Sequence, residues 1–585
     1  MFEPRIHRTA FVPVALAIIV LAFSLTNQAG PLGTNLAPNA FNGQNVANAL
    51  TSLATRYPDR KPGSDGDRRL GEYVAGQLTT LGFSVSTDQY DGQTASGKRV
   101  LTNIVGDRTG LSNSSIAIVA DRSSTARPGA AELSSTAMLL ELGRVLAGRA
   151  LQRSVIIASV SGGAGSAGTA RLANQLGPSV DAVIVLGDVG GTSTTEPIVL
   201  PWSSDATTAP PVLRNTLAAE LAGQASLKPG AASLAGQFAR LAFPLTMSAQ
   251  GPLLEAGHPA IELSLAGERG GAGNRTVSQA RLTSLGQAVL ATASALETGR
   301  QIPAPSPYLV YHRLVIGTWS IRLLVLVLIL PAFAVGVDGF ARARRRGHQI
   351  GRAGAWVLVR ALPFMAVAAA LAGLGVAGAL PAAPPGPVGP AAVPIGGTAV
   401  AIMIVVGLAL LASMIKVDRL AVALSGVREH PEEGAGAVAV LLVMCACGAV
   451  MWVTNPFAAA LVAPALNIWI WAMAPDLHLR RPFQAALMLV GFVPPVLVAF
   501  YYAGAFGLSP AGLAWSAVLM LAGGKLGAVA TFEWCVVAGC SLAAVTIGWR
   551  LLRRERPQDV PVTVRGPVTY AGPGSLGGTK SAMRR

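Results

Sequence analysis

Residues 115–146, SIAIVADRSSTARPGAAELSSTAMLLELGRVL, set two patterns side by side. SIAIVA (115–120) is a short apolar run rich in Ile and Val, the signature of a strand buried on both faces. AELSSTAMLLELGRVLAG (131–148) follows with helical spacing. The same alternation continues outward. SVIIASVS (154–161) and DAVIVLGDVG (181–190) are further buried-strand patterns, and AGTARLANQLG (167–177) lies between them as a helix. Upstream, DGDRRLGEYVAGQLTTLG (65–82) reads as an amphipathic helix ending at Gly82, and downstream RLTSLGQAVLATASALETGR (281–300) reads as a closing helix. Strands alternating with helices predict an α/β domain with a largely parallel central sheet, spanning 40–300. QIPAPSP (301–307) opens a stiff linker, 301–316.

The rest of the chain obeys another solvent. Of 585 residues, 51% are hydrophobic and 13% charged, against ~25% charged in soluble domains. Spans of roughly 20 apolar residues cross a bilayer. Such runs lie near 317–337, 354–380, 396–415, 434–453, 457–475, 484–505 and 527–551. They predict an all-α polytopic membrane bundle over 317–552. An eighth run, 11–25, follows the basic Arg5, His7 and Arg8. TNQAGPLGTNLAPNA (26–40) offers no sharp A-x-A cleavage site, so 1–30 is expected to be a cytoplasmic N-terminus and retained signal-anchor helix. The shorter run 511–524 is expected not to cross fully.

Loop charge sets the orientation. ARARRRGHQIGR (341–352), KVDRLAVALSGVREH (416–430), DLHLRRPF (476–483) and RLLRRERPQ (550–558) are basic, whereas PAAPPGPVGP (381–390) is uncharged. Basic loops inside place 40–300 outside a cell membrane and the basic tail 553–585 in the cytoplasm, with eight crossings. The net charge of +16 then belongs to cytoplasmic loops. No arginine-rich segment is interleaved with aromatics, so nucleic acid is not an expected partner, whereas membrane lipids are. All four cysteines, Cys445, Cys447, Cys535 and Cys540, sit in apolar runs, which leaves the outer domain without disulfide or thiolate metal site.

Six segments in order resemble the di-zinc aminopeptidase and glutamate carboxypeptidase superfamily, which includes the catalytically silent transferrin-receptor ectodomain. RKPGSDGDRRLGEYVAGQLTTLGFSV (60–85) resembles its opening helix and strand, and LTNIVGDRTG (101–110) its Asn-Val-Ile-Gly strand. PGAAELSSTAMLLELGRVL (128–146) is similar to its Gly-Ala-x-Asp-Asn-x-Ser-Gly loop and helix. SVIIASVSGGAGSAGTARLA (154–173) resembles the strand leading into Glu-Glu-x-Gly. VIVLGDVGG (183–191) resembles the strand ending in a ligand Asp, and SAQGPLLEAGHPAIEL (248–263) the late Ser-Asp-His segment. The resemblance implies a zinc-peptidase-like fold over about 46–300.

It also assigns site positions. Where the family has a His followed two residues later by an Asp, this chain has Asp121 and Ser123. Glu132 stands at the bridging Asp, Asp188 matches the second ligand Asp, and Gly162 and Gly163 replace the glutamate base and the ligand beside it. AGERGGAGNRTVSQ (266–279) lacks the late His. Asp121, Glu132 and Asp188 remain as weak candidate metal ligands, with no imidazole among them. Tightly held zinc prefers nitrogen and sulfur, so no cofactor and no catalytic residue is expected. Zinc enters only under the alternative of a membrane-anchored metallo-aminopeptidase. The expected function is a pseudo-peptidase that binds or presents a peptide or lipid-linked substrate to a partner protein complex. Its layout resembles the attachment subunit of the GPI-anchor transamidase. A further alternative is lipid or solute handling by the bundle.

Other residues invite chemistry. Ser161 and Ser166 flank a glycine-rich turn, and His258 is the only outer-domain histidine, but a Ser–His pair needs contact in space. GGAGSAG lacks the Lys-Ser/Thr ending of a phosphate loop. Arg322, Arg360, Asn455, Asn467, Lys525 and Glu533 lie in or near spans, and Pro494-Pro495 predicts a kink.

Overall fold

The computed structural model describes residues 4–34, 38–124, 130–269, 276–380, 387–390, 392–426, 431, 433–474 and 479–553. Ten strands occur among them: β1 (Thr26–Asn27), β2 (Ser84–Thr94), β3 (Gly97–Arg108), β4 (Ser115–Asp121), β5 (Ser154–Val160), β6 (Val180–Leu186), β7 (Val199–Leu200), β8 (Ala260–Leu263), β9 (Tyr308–Tyr311) and β10 (Leu314–Gly317). Seven form the outer-domain sheet in the order β2-β3-β5-β4-β6-β8-β7. Its centre, β5-β4-β6-β8, is parallel, and β2, β3 and β7 run antiparallel at the edges.

Successive strand side chains point to opposite faces. Every residue of β6 is buried, as are Ser115 to Ala120 of β4, so both faces of the sheet centre are covered. This is why these strands appear in sequence as unbroken apolar runs rather than as alternation. Helices Gly43–Arg56, Ala130–Ala147, Pro211–Ala225 and Gln279–Thr298 pack on one another in one covering layer. The helix Asp65–Thr80 starts where Ser64 Oγ accepts the Asp67 amide at 3.3 Å, and buries Leu70, Val74 and Leu78 at four-residue spacing. Past its end the chain turns at Gly82, whose φ of +82° suits glycine.

The 301–316 stretch has no regular secondary structure up to Pro307 and then enters the hairpin β9–β10. β10 also pairs with β1, through Thr26↔Val315 and Asn27↔Leu314. The chain's entry into the outer domain and its exit are thereby joined in one three-stranded sheet.

Among the described residues, six helices are long and apolar enough to cross a membrane: Arg5–Phe23, Thr318–Arg345, Ile350–Val376, Gly397–Ser425, Gly434–Thr454 and Ala528–Arg553. Arg481–Val490 and Val493–Phe506 form a seventh candidate, bent by 49° next to Pro494-Pro495. The run expected at 457–475 is the helix Pro456–Ala472, which at 17 residues is shorter than the others. Pro510–Ala522 has 13 residues. At ~1.5 Å per residue it extends about 20 Å, short of a ~30 Å hydrocarbon core. Two basic stretches expected as loops are partly helical. Thr318–Arg345 runs on to Arg345 before Gly347, and Gly397–Ser425 runs on to Ser425 before Gly426; both glycines have positive φ. Of the expected cytoplasmic tail, 554–585 lies outside the described residues.

The polar groups flagged in the spans mostly join helices. Asn455 Oδ1 caps Pro456–Ala472 by accepting the Phe457 and Ala458 amides, while its Nδ2 donates to Leu241 O at 2.7 Å. Asn467 Nδ2 donates to Leu328 O, and its Oδ1 meets His7 Nε2 at 3.2 Å. Buried Arg360 pairs with Asp418 and stacks 3.4 Å from the Trp356 ring centroid. Glu533 Oε1 accepts from Thr454 Oγ1 at 3.2 Å. Arg322 is exposed, and Lys525 lies in the turn between Pro510–Ala522 and Ala528–Arg553.

Candidate functional site

The parallel strands finish level. Asp121 lies beside Val160 at the ends of β4 and β5, and Leu186 beside Leu263 at the ends of β6 and β8. Whatever follows each strand collects at one edge of the sheet, where open α/β folds place their clefts. A cleft of about 500 Å³ opens there, and Asp121, Glu132, Gly163 and Asp188 all line it. Gly162 sits directly behind, with its amide donating to Ser123 Oγ at 3.0 Å. The five positions assigned from sequence are thus brought together.

Their hydrogen bonds point inward to the protein. Asp121 Oδ1 accepts from the Ser123 amide at 2.9 Å and from Ser123 Oγ at 2.7 Å; its Oδ2 accepts the Gly163 amide at 2.8 Å. The Asp121–Ser123 turn therefore clasps the glycine turn that follows β5. Gly163 has φ +58°, a conformation in which a side chain would be strained. Asp188 Oδ1 accepts the Gly190 and Gly191 amides at 3.1 and 2.9 Å, capping its own turn. Burial raises the Asp121 carboxyl to about 6 against the stabilising bonds from Ser123. Burial also raises Glu132 to about 7; Arg60 opposes the shift, and Asp121 and Asp188 add to it. Among the described residues, no group of three His, Cys, Asp or Glu is arranged to hold a metal ion.

Several site residues escaped sequence reasoning. Arg122 is fully buried behind the cleft, its Nε 3.0 Å from Asp67 Oδ1. It also donates to Ser159 O at 3.0 Å and Thr102 O at 2.5 Å, tying β3 and β5 to the helix Asp65–Thr80. Ser161 Oγ donates to Asp67 Oδ2 at 2.5 Å. Buried His258 instead meets Ala173 O at 3.1 Å, so the structure forms no Ser161–His258 pair. Ser166 lines the cleft with φ +54°.

Two more carboxylates line the far wall. Glu262 Oε2 accepts the Ala249 amide at 2.8 Å, and burial raises this group to about 7. Glu268 accepts from Thr246 Oγ1 at 2.5 Å and pairs with Arg240. Arg240 Nε donates to the Tyr501 hydroxyl at 3.1 Å, which links this wall to the bundle helix Val493–Phe506. Pro387, Val388, Gly389, Ala392 and Pro394, from the uncharged loop between two bundle helices, complete the rim. A sequence signal did exist for that loop: many prolines and no charge beside an outer domain.

Fold and site thus describe a mixed α/β domain, parallel at its centre with a cleft at the strand ends, carried by a helical region of membrane-crossing length. The sequence matches no protein-family model and no curated protein. Among solved structures it is similar to a glutaminyl cyclase from an Acidobacteriales bacterium at 18% identity, over 46% of this chain and 99% of that one, with TM-score 0.37. A leucine aminopeptidase precursor from Bacteroides thetaiotaomicron is similar at 15% identity, over 44% and 98%, with TM-score 0.33. An aminopeptidase from Aneurinibacillus sp. is similar at 12% identity, over 46% and 96%, with TM-score 0.34.

Proposed function

We propose that this chain is a multi-pass membrane protein whose extracytoplasmic, peptidase-like domain has lost catalysis. In this reading it binds or presents a peptide or lipid-linked substrate to a partner complex. One observation carries the reading: the amides of Gly162 and Gly163 are held by Ser123 and Asp121 where the family resemblance puts a glutamate base and a ligand. A metal-dependent hydrolase needs a group beside the bound water to take its proton, and such help is commonly worth a factor of ~10²–10⁴. The donors facing the cleft are carboxylates, and two of those aligned with ligands already hold backbone amides, a poor fit for zinc.

The test uses the full chain purified in detergent. It should contain no stoichiometric zinc and should release no amino acid from aminopeptidase or carboxypeptidase substrates. Zinc at one or two ions per chain, with turnover that Asp188→Ala abolishes, restores the metallopeptidase. The orientation is tested separately by cysteine labelling after residues 100, 347 and 386. Positions 100 and 386 should react from outside and 347 only after permeabilisation; a protected residue 100 overturns the orientation.

A further inference from the structure

Behind the polar cleft lies a second cavity of about 400 Å³ with a different lining. Leu245, Leu461, Phe506, Met520 and Trp534 are among its walls, and it is formed between the outer domain and the bundle helices. Met247, Pro387 and Val388 line both spaces, so the cavity and the cleft share a wall. The helix Val493–Phe506 contributes Val498, Ala499 and Tyr502 to the cavity while turning Leu497 and Phe500 outward, 61% and 70% exposed, as a lipid-facing helix would.

The order of chemistry along this wall is specific. The cavity is apolar. At its boundary Arg269 lines the cleft, and its Nη2 donates to Gly504 O at 3.0 Å, on the helix that also lines the cavity. The cleft lining also carries the carboxylates Glu268, Glu262, Glu132, Asp188 and Asp121, and among the described residues no lysine or other arginine lines it. An apolar cavity beside a cleft lined by one arginine and five carboxylates complements an acyl chain, a phosphate and an ammonium group. The seam is fixed by Arg240, which pairs with Glu268 on the cleft side and lies 5.1 and 5.2 Å from the Tyr502 and Phe506 rings on the cavity side.

We infer that cleft and cavity form one site for a phospholipid with an amine-bearing headgroup, its chain between the helices and its ammonium among the cleft carboxylates. The inference rests on the reading of the cleft as a binding site and names the class of molecule it takes. Both volumes fall in the ~300–1,000 Å³ range of ligand pockets. An anionic headgroup would set like charge against the carboxylates, which selects the ethanolamine class over the glycerol class.

The test places the full chain in phosphatidylcholine nanodiscs doped with a phosphatidylethanolamine carrying a photoreactive group near the end of one acyl chain. The label should map to 493–526 and 534. A phosphatidylglycerol probe with the same chain should label these residues roughly threefold less, the scale of one partly exposed ion pair. Ala517→Trp should reduce labelling by both probes; Ala499→Trp, on another helix, serves if that variant fails to fold. Glu132→Gln should narrow the difference between the two probes. Label spread over the outward faces of Gly397–Ser425, or equal labelling by the two probes, overturns the inference. Zinc-dependent turnover with lipid labelling intact would sink the pseudo-peptidase reading alone, whereas absence of both turnover and site labelling would sink this inference alone.

Discussion

Ala130–Ala147 and Gly397–Ser425 are both helices dominated by apolar residues, yet they are built for different surroundings. Leu133, Met138, Leu139, Leu142 and Leu146 of the first are at most 1% exposed. Val405, Leu408 and Ile415 of the second are 61–71% exposed, and only four of its residues are buried. One helix is enclosed by protein, and the other leaves most of its apolar surface open. Buried charge differs in the same sense. Arg122 and Asp67 are both fully enclosed and bonded to strands on two sides, whereas Arg360 is enclosed but its partner Asp418 is half exposed.

The largest expected effect tests that second contrast. Arg122→Met leaves Asp67 buried and unpaired, which should cost about 3–5 kcal/mol of outer-domain stability. Denaturant unfolding followed through Trp202, the outer domain's single tryptophan, measures it. Arg360→Met should cost less, because Asp418 is already half exposed. An equal or larger loss would break the contrast. Next comes packing: Leu142→Ala should cost about 2–5 kcal/mol. Leu408→Ala, on that exposed face, should shift stability by no more than ~0.5 kcal/mol. Equal costs would mean that the exposed face of Gly397–Ser425 is covered by a partner.

A further effect is in pH. Glu132 and Glu262 are each raised to about 7 in the folded chain, chiefly by burial, from an ordinary 4.5. A raised acid binds more protons folded than unfolded between those values, so its contribution to stability falls as pH rises from 4.5 to 7. The outer domain should therefore melt lower at pH 8 than at pH 5, and Glu132→Gln should flatten the slope. A bundle reporter such as Trp469 should show little of this dependence. A slope that survives Glu132→Gln and Glu262→Gln together would place the titrating group elsewhere.

What was legible in the sequence follows from the same contrast. β4, β5 and β6 were readable because burial on both faces leaves continuous Ile and Val runs. Those strands are parallel and their ends meet, so the positions that the family resemblance assigned to Asp121, Gly163 and Asp188 fall in one cleft. Arg122 was not legible as a structural centre: an arginine after a strand looks like a surface residue until Asp67, 55 positions away, is folded against it. Glu262 and Glu268 were missed for the same reason, since their partners Ala249, Thr246 and Arg240 are set by tertiary packing. The hairpin β9–β10 was read only as part of a stiff linker because its strand of closure, β1, is two residues long and lies nearly 290 positions upstream. Helix lengths in the bundle followed hydropathy; the ends that overran into basic stretches were set by glycines with positive φ.

That small sheet has a mechanical consequence. The α/β domain is an insertion between two helices of membrane-crossing length, Arg5–Phe23 and Thr318–Arg345, which pack on each other. β1 and β10 clamp its two stems together at the surface, and Gln28 adds bonds to the Arg313 and His312 carbonyls. A domain on one stem can swivel; a domain on two clamped stems keeps one bearing toward the helices that carry it. Held on both stems, the domain keeps its cleft against Pro387, Val388, Gly389, Ala392 and Pro394.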